Sequence, residues 1–197
     1  MPLRWNGLQL RWNRPLGLDY GPMQLQQVNV AYDSLQDRIL LRFSTNEQVQ
    51  YQLWITRRML KGLWPGLIQL LGNTPMARQQ QAPEAKQAVM AFQREQALSQ
   101  TKFGKQYEGE QMEKAIPGEP LLVFGLRMRP NPEGGHDIEF LPRQGPGVHI
   151  RLQDAMVHAL AKLLQDAIKA TDWDLKLEFP TGALAAPAPV EAERKLN

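Results

Sequence analysis

The chain has 197 residues, 43% hydrophobic and 22% charged, with a net charge of +3 at pH 7. Its lack of cysteine excludes a disulfide framework, a thiolate metal site and a cysteine nucleophile. No apolar run approaches the roughly 20 residues that span a bilayer. The length suits one globular domain, or two small halves around a shared core. Met1–Gly7 shows no apolar leader of the secretory kind, so the expected location is cytoplasmic.

In chain order, residues 1–22 carry the near-repeats Arg4-Trp5-Asn6 and Arg11-Trp12-Asn13 and then Pro15, Gly17, Gly21 and Pro22. No strand or helix period runs through them, so they read as a flexible N-terminal arm. Met23, just before the first patterned strand, is an alternative start of translation. From residue 23 the period is two. Val28, Val30 and Tyr32 alternate with polar or small neighbours, as do Ile39, Leu41 and Phe43, and Val49, Tyr51 and Leu53. Short connections at 33–37 and 44–47 join them into an antiparallel meander. At Thr56, a competent N-cap, the period becomes 3.6 and predicts a helix to Leu71, with Gly72-Asn73 ending it and a break expected at Pro65.

Residues 72–118 read as a Gln-rich linker over Ala77–Ala82 followed by a surface helix. Its thin stripe is Ala85, Ala88, Val89, Phe92, Gln96, Ser99 and Phe103. Residues 119–180 then repeat the first pattern. A strand is expected over Leu121–Arg129, a second around Ile138 and Phe140, and a third around Val148, Ile150 and Leu152. The helical stripe Ala155, Ala159, Leu160, Leu163, Leu164, Ala167 and Ile168 follows. Each of its members lies 100 positions after Ile55, Met59, Leu60, Leu63, Trp64, Leu67 and Ile68, and Ile39 and Val49 recur 99 positions on. Self-similarity at a fixed offset is the mark of repeated architecture. Trp173, Leu175, Leu177 and Phe179 predict a closing strand, and 181–197 a disordered tail. The expected class is α+β: a duplicated strand-strand-strand-helix unit over 23–71 and 119–180, with antiparallel sheets carrying helices on one face.

No catalytic constellation is evident. Ser34, Ser44 and Ser99 lie outside any nucleophile elbow, and no phosphate-cradling glycine loop is present. Asp154 and His158 stand four apart on one helix face. They could orient an imidazole or supply two metal ligands, but a metal site needs three or four. The expectation is therefore a protein that is not an enzyme and has no cofactor and no metal.

The sharpest anomaly is Thr56-Arg57-Arg58-Met59-Leu60-Lys61, where cations occupy a helix's first turn against the macrodipole. Converging N–H groups and guanidiniums make an anion site. Arg38 and Arg42 on the adjacent strand extend it, and Trp54, of opposite parity to the apolar face, offers a stacking surface. The predicted site is thus Arg38, Arg42, Trp54, Arg57, Arg58 and Lys61, binding single-stranded DNA or RNA or another anionic partner. The alternative is a protein-interaction module or homodimeric scaffold using exposed strand edges. No membrane contact is expected.

The run Leu41-Arg42-Phe43-Ser44-Thr45 through Leu53-Trp54-Ile55-Thr56-Arg57-Arg58-Met59-Leu60 resembles a group of uncharacterised bacterial cytoplasmic proteins, over residues 23–71. The layout of repeated antiparallel strands followed by a helix is similar to single-stranded nucleic-acid binders of the PUR and Whirly type. Those use four strands per repeat where this chain has three. The likeness implies nucleic-acid binding by topology alone.

Overall fold

A computed structural model describes residues 25–101, 103 and 107–180 of the chain. The expected arm over 1–22 and the tail over 181–197 lie outside the described residues. The fold is α+β, built on two sheets. Strands β1 (Leu25–Asp33), β2 (Arg38–Thr45) and β3 (Val49–Ile55) form an antiparallel meander with Val30 opposite Leu41 and Leu41 opposite Leu53. One face of the meander therefore carries Ile39, Leu41, Phe43, Leu53 and Ile55, all buried. Helix α1 (Arg57–Leu71) follows at once, its cap Thr56 accepting from the Met59 N–H at 3.3 Å.

No break occurs at Pro65: α1 is continuous through it. The carbonyl that Pro65 cannot satisfy belongs to Lys61, and both residues are exposed on one helix face, where water replaces the lost bond. Beyond Gly72, the expected linker instead begins with a short helix, α2 (Pro75–Arg78), capped by Thr74. Its Ala77 is fully buried. Helix α3 (Pro83–Gln100) is present, but it turns Met90 and Ala97 inward and leaves Phe92 61% exposed. The Phe92 stripe was the expected inner face; packing against the second long helix selects the other one.

The expected strand over Leu121–Arg129 is split between the two sheets. A strand β4 (Glu113–Lys114) and then β5 (Leu121–Leu122) pair with β3 in parallel, so the first sheet is mixed rather than antiparallel. Val123 N–H still donates to Trp54 in that sheet, whereas Phe124 N–H donates to Leu141 in the other. There β6 (Gly125–Pro130), β7 (His136–Leu141) and β8 (Val148–Leu152) form a second antiparallel meander, with Met128, Ile138 and Ile150 in one cross-strand row. Helix α4 (Asp154–Ala167) follows.

Strand-strand-strand-helix thus occurs twice, and each helix reaches into the other unit. Helix α1 packs on β6, where Met128 lies over Gly66 so closely that a Cβ there would stand 1.9 Å from its terminal carbon. Helix α4 packs on β1, and also on α1, α3 and β8. Enclosed on several sides, α4 buries Val157, His158, Ala159, Leu160, Ala161 and Leu164, while Ala155 is exposed and Leu163 only half-buried. The expected stripe keeps Ala159, Leu160 and Leu164 buried and Ala167 and Ile168 against the core, and the buried face widens beyond it to Val157, His158 and Ala161. Phe43 of the first sheet meets Phe140 of the second at 6.2 Å between ring centroids, inside one continuous core.

Residues 173–180 form no strand. Trp173, Leu177 and Phe179 are buried as the alternation predicts, but the segment is held by side chains rather than by a ladder. Trp64 Nε1 donates to the Glu178 carbonyl at 3.2 Å and Gln165 Nε2 to the Leu177 carbonyl at 2.5 Å. Trp173 Nε1 donates to Asp37 Oδ1 at 2.5 Å, and Tyr32 OH donates to the same oxygen at 2.8 Å.

The β6–β7 turn imposes a testable constraint. Gly135 has φ +74°, and a Cβ on it would stand 2.6 Å from the Leu152 carbonyl oxygen. Neither the backbone conformation nor the contact with β8 can give way cheaply. Gly135→Ala is expected to destabilise the protein by about 2 kcal/mol or more, measured as a lowered urea midpoint. Gly134→Ala shares the positive φ but meets no atom within 4 Å, and should cost less.

Candidate functional site

Two polar regions flank this core, and they differ in how they are built. At the start of α1, Arg57, Arg58 and Lys61 are all exposed, with no acidic residue in the first turn. Among the described residues none of the three forms an ion pair. Arg38 opens β2 one position beyond the Ile39–Ile55 pair, which sets it beside Thr56 on the outer face of the sheet. Asp37, next to it, has its carboxyl held below the usual range, first by the Trp173 and Tyr32 hydrogen bonds and then by the charge of Arg57. The helix start and the β1–β2 turn are thus electrostatic neighbours.

Arg42 and Trp54 do not join this group. Arg42 lies four residues further along β2, roughly 13 Å away at strand rise. Its Nε and Nη2 donate to Asn29 Oδ1 at 3.1 and 2.8 Å, and its Nη1 donates to Glu110 Oε1 at 2.7 Å. Its guanidinium also stacks over Tyr107 at 5.0 Å. Burial pushes the Tyr107 phenol up to about 12, against the opposing charge of Arg42. Trp54 is only 9% exposed, so the expected stacking surface is lost. Ser44 and Gln50 on the same outer face are buried as well. Gln50 Nε2 donates to the Met112 carbonyl at 3.2 Å, and the Glu108 N–H to Gln27 Oε1 at 2.9 Å. Strand parity distinguishes two faces but does not reveal which face another segment covers.

The second region went unselected at the level of sequence. The outer face of β6–β7–β8 bears Arg127, Glu139 and His149 in one cross-strand row and Arg129, Asp137 and Arg151 in the next. All of these but Arg151 line a groove of about 280 Å³, together with Met128. Asp137, 5% exposed, sits at its centre. It accepts from Asn131 Nδ2 at 2.8 Å and Arg151 Nε at 3.1 Å, with Arg129 Nε at 3.4 Å and His149 Nε2 at 3.6 Å. Burial acts to raise its pKa, but these donors and charges outweigh it and hold the carboxyl below its usual range. The alternation of charges in each strand was visible in the sequence; the register that assembles the rows was not.

The histidines are dispersed by role. His136 is buried and donates through Nε2 to Asp154 Oδ1 at 2.7 Å, a bond that lowers the Asp154 carboxyl ahead of every other influence. The Asp154–His158 hydrogen bond that their helical spacing would allow is not formed. His158 is 1% exposed and neither ring nitrogen has a partner. It lies against Phe179 at 5.7 Å between centroids, with Arg94 stacked on the other ring contact of Phe179 at 4.5 Å. Among the described residues no group of three or more His, Asp or Glu is placed to hold a metal. No helix among them is long and apolar enough to cross a membrane.

Burial, and then the Arg94 charge, lowers the His158 pKa to about 4. A base whose folded pKa lies below its unfolded value near 6.5 keeps its full stabilising contribution above pH 6.5. Below that the unfolded chain binds the proton first, so stability falls as pH drops from 6.5 towards 4. Unfolding at pH 5 is expected to take up close to one proton through this residue, and His158→Leu should flatten the profile over that window. Urea titrations at stepped pH measure both. Comparison of the chain with protein-family models, with curated proteins and with solved structures finds no match.

Proposed function

We propose that this chain is a non-catalytic binding protein that engages an anionic partner through the start of α1, with single-stranded nucleic acid as the partner class. The supporting observation is the exposed trio Arg57, Arg58 and Lys61 at a helix start with no acidic residue in its first turn and no ion pair among the described residues, Asp37 of the β1–β2 turn being the neighbouring acid. In an isolated helix this arrangement is unfavourable, because the N-terminal end of the macrodipole prefers negative charge. An anion placed there interacts with the dipole and with the guanidiniums together. Arg38 extends the cationic area from the outer face of β2. Arg42 and Trp54 do not belong to this reading, since one is committed to Asn29 and Glu110 and the other is buried. Without a stacking tryptophan, recognition rests on phosphate charge and carries little base preference.

The signature of such binding is its salt dependence. Each phosphate neutralised on a single strand contributes about 0.7 to the slope of log affinity against log salt. For oligo-dT titrated by fluorescence anisotropy, the triple variant Arg57→Ala, Arg58→Ala and Lys61→Ala should weaken binding at least tenfold and reduce that slope by about 2. Unchanged affinity, or no affinity at low salt in the native protein, refutes the reading.

A further inference from the structure

A second, separate surface lies at the free edge of the second sheet, and the geometry points to β6 as the docking strand for an extended acidic segment of a partner protein. Strand β6 pairs with β7 on one side, and among the described residues no strand pairs with the other. The Asn131 N–H bond to the Gly135 carbonyl at 2.9 Å continues the β6–β7 register. Antiparallel alternation then directs the backbone groups of Arg127 and Arg129 to β7 and those of Leu126 and Met128 away from it. Two outward N–H and C=O pairs are thus available for an added strand.

The side chains define what kind of strand fits. On the outer face β6 presents Arg127 and Arg129, 65% and 75% exposed. Each is oriented from behind by a carboxylate of β7, Arg127 Nη1 by Glu139 at 3.1 Å and Arg129 Nε by Asp137 at 3.4 Å. One side of each guanidinium is so engaged, and its remaining N–H groups are left for a ligand. Asp137 is shared with Arg151, which Glu133 also engages at 3.0 Å, so the charge standing beside the free edge itself is that of Arg127 and Arg129. Two residues along a strand span about 7 Å, so acids at alternate positions of an added strand fall opposite the two arginines.

Charge selects among the other occupants. A second copy pairing through β6 would set arginine against arginine, and like charges directly opposite destabilise a sheet. Nucleic acid finds no Trp, Tyr or Phe to stack on among the residues lining the groove.

The test uses the full chain and a fluorescein-labelled eight-residue peptide of alternating glutamate and valine. Binding at low salt is expected, and with it at least tenfold slower amide exchange at Leu126 and Met128, read by NMR. Arg127→Glu with Arg129→Glu should weaken the peptide at least tenfold and gain affinity for an alternating lysine–valine peptide; Arg127→Gln with Arg129→Gln should lose the first without gaining the second. Unaltered exchange at Leu126 and Met128, equal binding by the variants, or oligo-dT binding here in place of the peptide overturns the proposal. Loss of oligo-dT binding in the α1 triple variant leaves these readouts unmoved, so the two surfaces fail independently.

Discussion

The crossing of each helix onto the opposite meander is the constraint from which the rest of the structure follows. Three strands and one helix bury a single face, which is marginal for a free-standing unit. Here α1 leaves the first sheet to pack on β6, and α4 leaves the second to pack on β1. Phe43 and Phe140 meet where the two inner faces come together. Neither half encloses its own hydrophobic residues, so the halves must fold as one cooperative body. The close seating of Met128 on Gly66 is a local expression of that dependence. So is the route of the chain at 121–125, which ends one sheet and begins the other within a few residues.

The C-terminal described segment completes the enclosure by different means. A ladder would have satisfied its backbone groups in series. Instead Trp64 and Gln165 donate to two of its carbonyls, and Trp173 reaches back to Asp37 in the β1–β2 turn. Beneath it lie polar atoms without partners, both ring nitrogens of His158 and Nη1 of Arg94. Burying such atoms unpaired costs on the order of 1–3 kcal/mol each. Side-chain anchors over an unsatisfied polar layer make this segment the weakest part of the shell, and local opening is expected to begin there before either meander yields.

What was legible in the sequence follows the range of the interaction that decides it. Alternation fixed β1, β2, β3, β7 and β8, and the Thr56 cap fixed the start of α1, because those patterns depend on near neighbours and on one apolar face. The α4 stripe is narrower in the sequence than in the structure, because that helix touches four elements and buries Val157, His158 and Ala161 as well. The Phe92 face of α3 was misjudged because its amphipathicity is too weak to decide orientation, leaving the choice to α4. Arg42 is engaged by Glu110, 68 residues later, and Trp54 is buried on the face that parity alone marks as outer; neither long-range fact leaves a mark in the local pattern. The closing strand failed as a strand although its burial alternates, since alternation records which side chains are inside and is silent about ladder partners. Asp137 escaped notice because its importance arises from a register that joins three strands.

The two units consequently have opposite surface economies. In the first, residues 107–115 cover the outer sheet face around Arg42 and Gln50, and exposed charge stands instead at the helix start, in Arg57, Arg58 and Lys61, with Asp37 as the neighbouring acid. In the second, the helix start is already neutralised, with Asp154 in the first turn and His136 bonded to it. The outer sheet face is there left open, and its charges are organised around a buried carboxylate. A surface that is satisfied internally gains little from binding; one whose charges are oriented yet still exposed gains more, because the ordering has been done in advance. By that measure the arginines left most exposed are those at the helix start of the first unit and, held from behind by β7 carboxylates, those of β6 in the second.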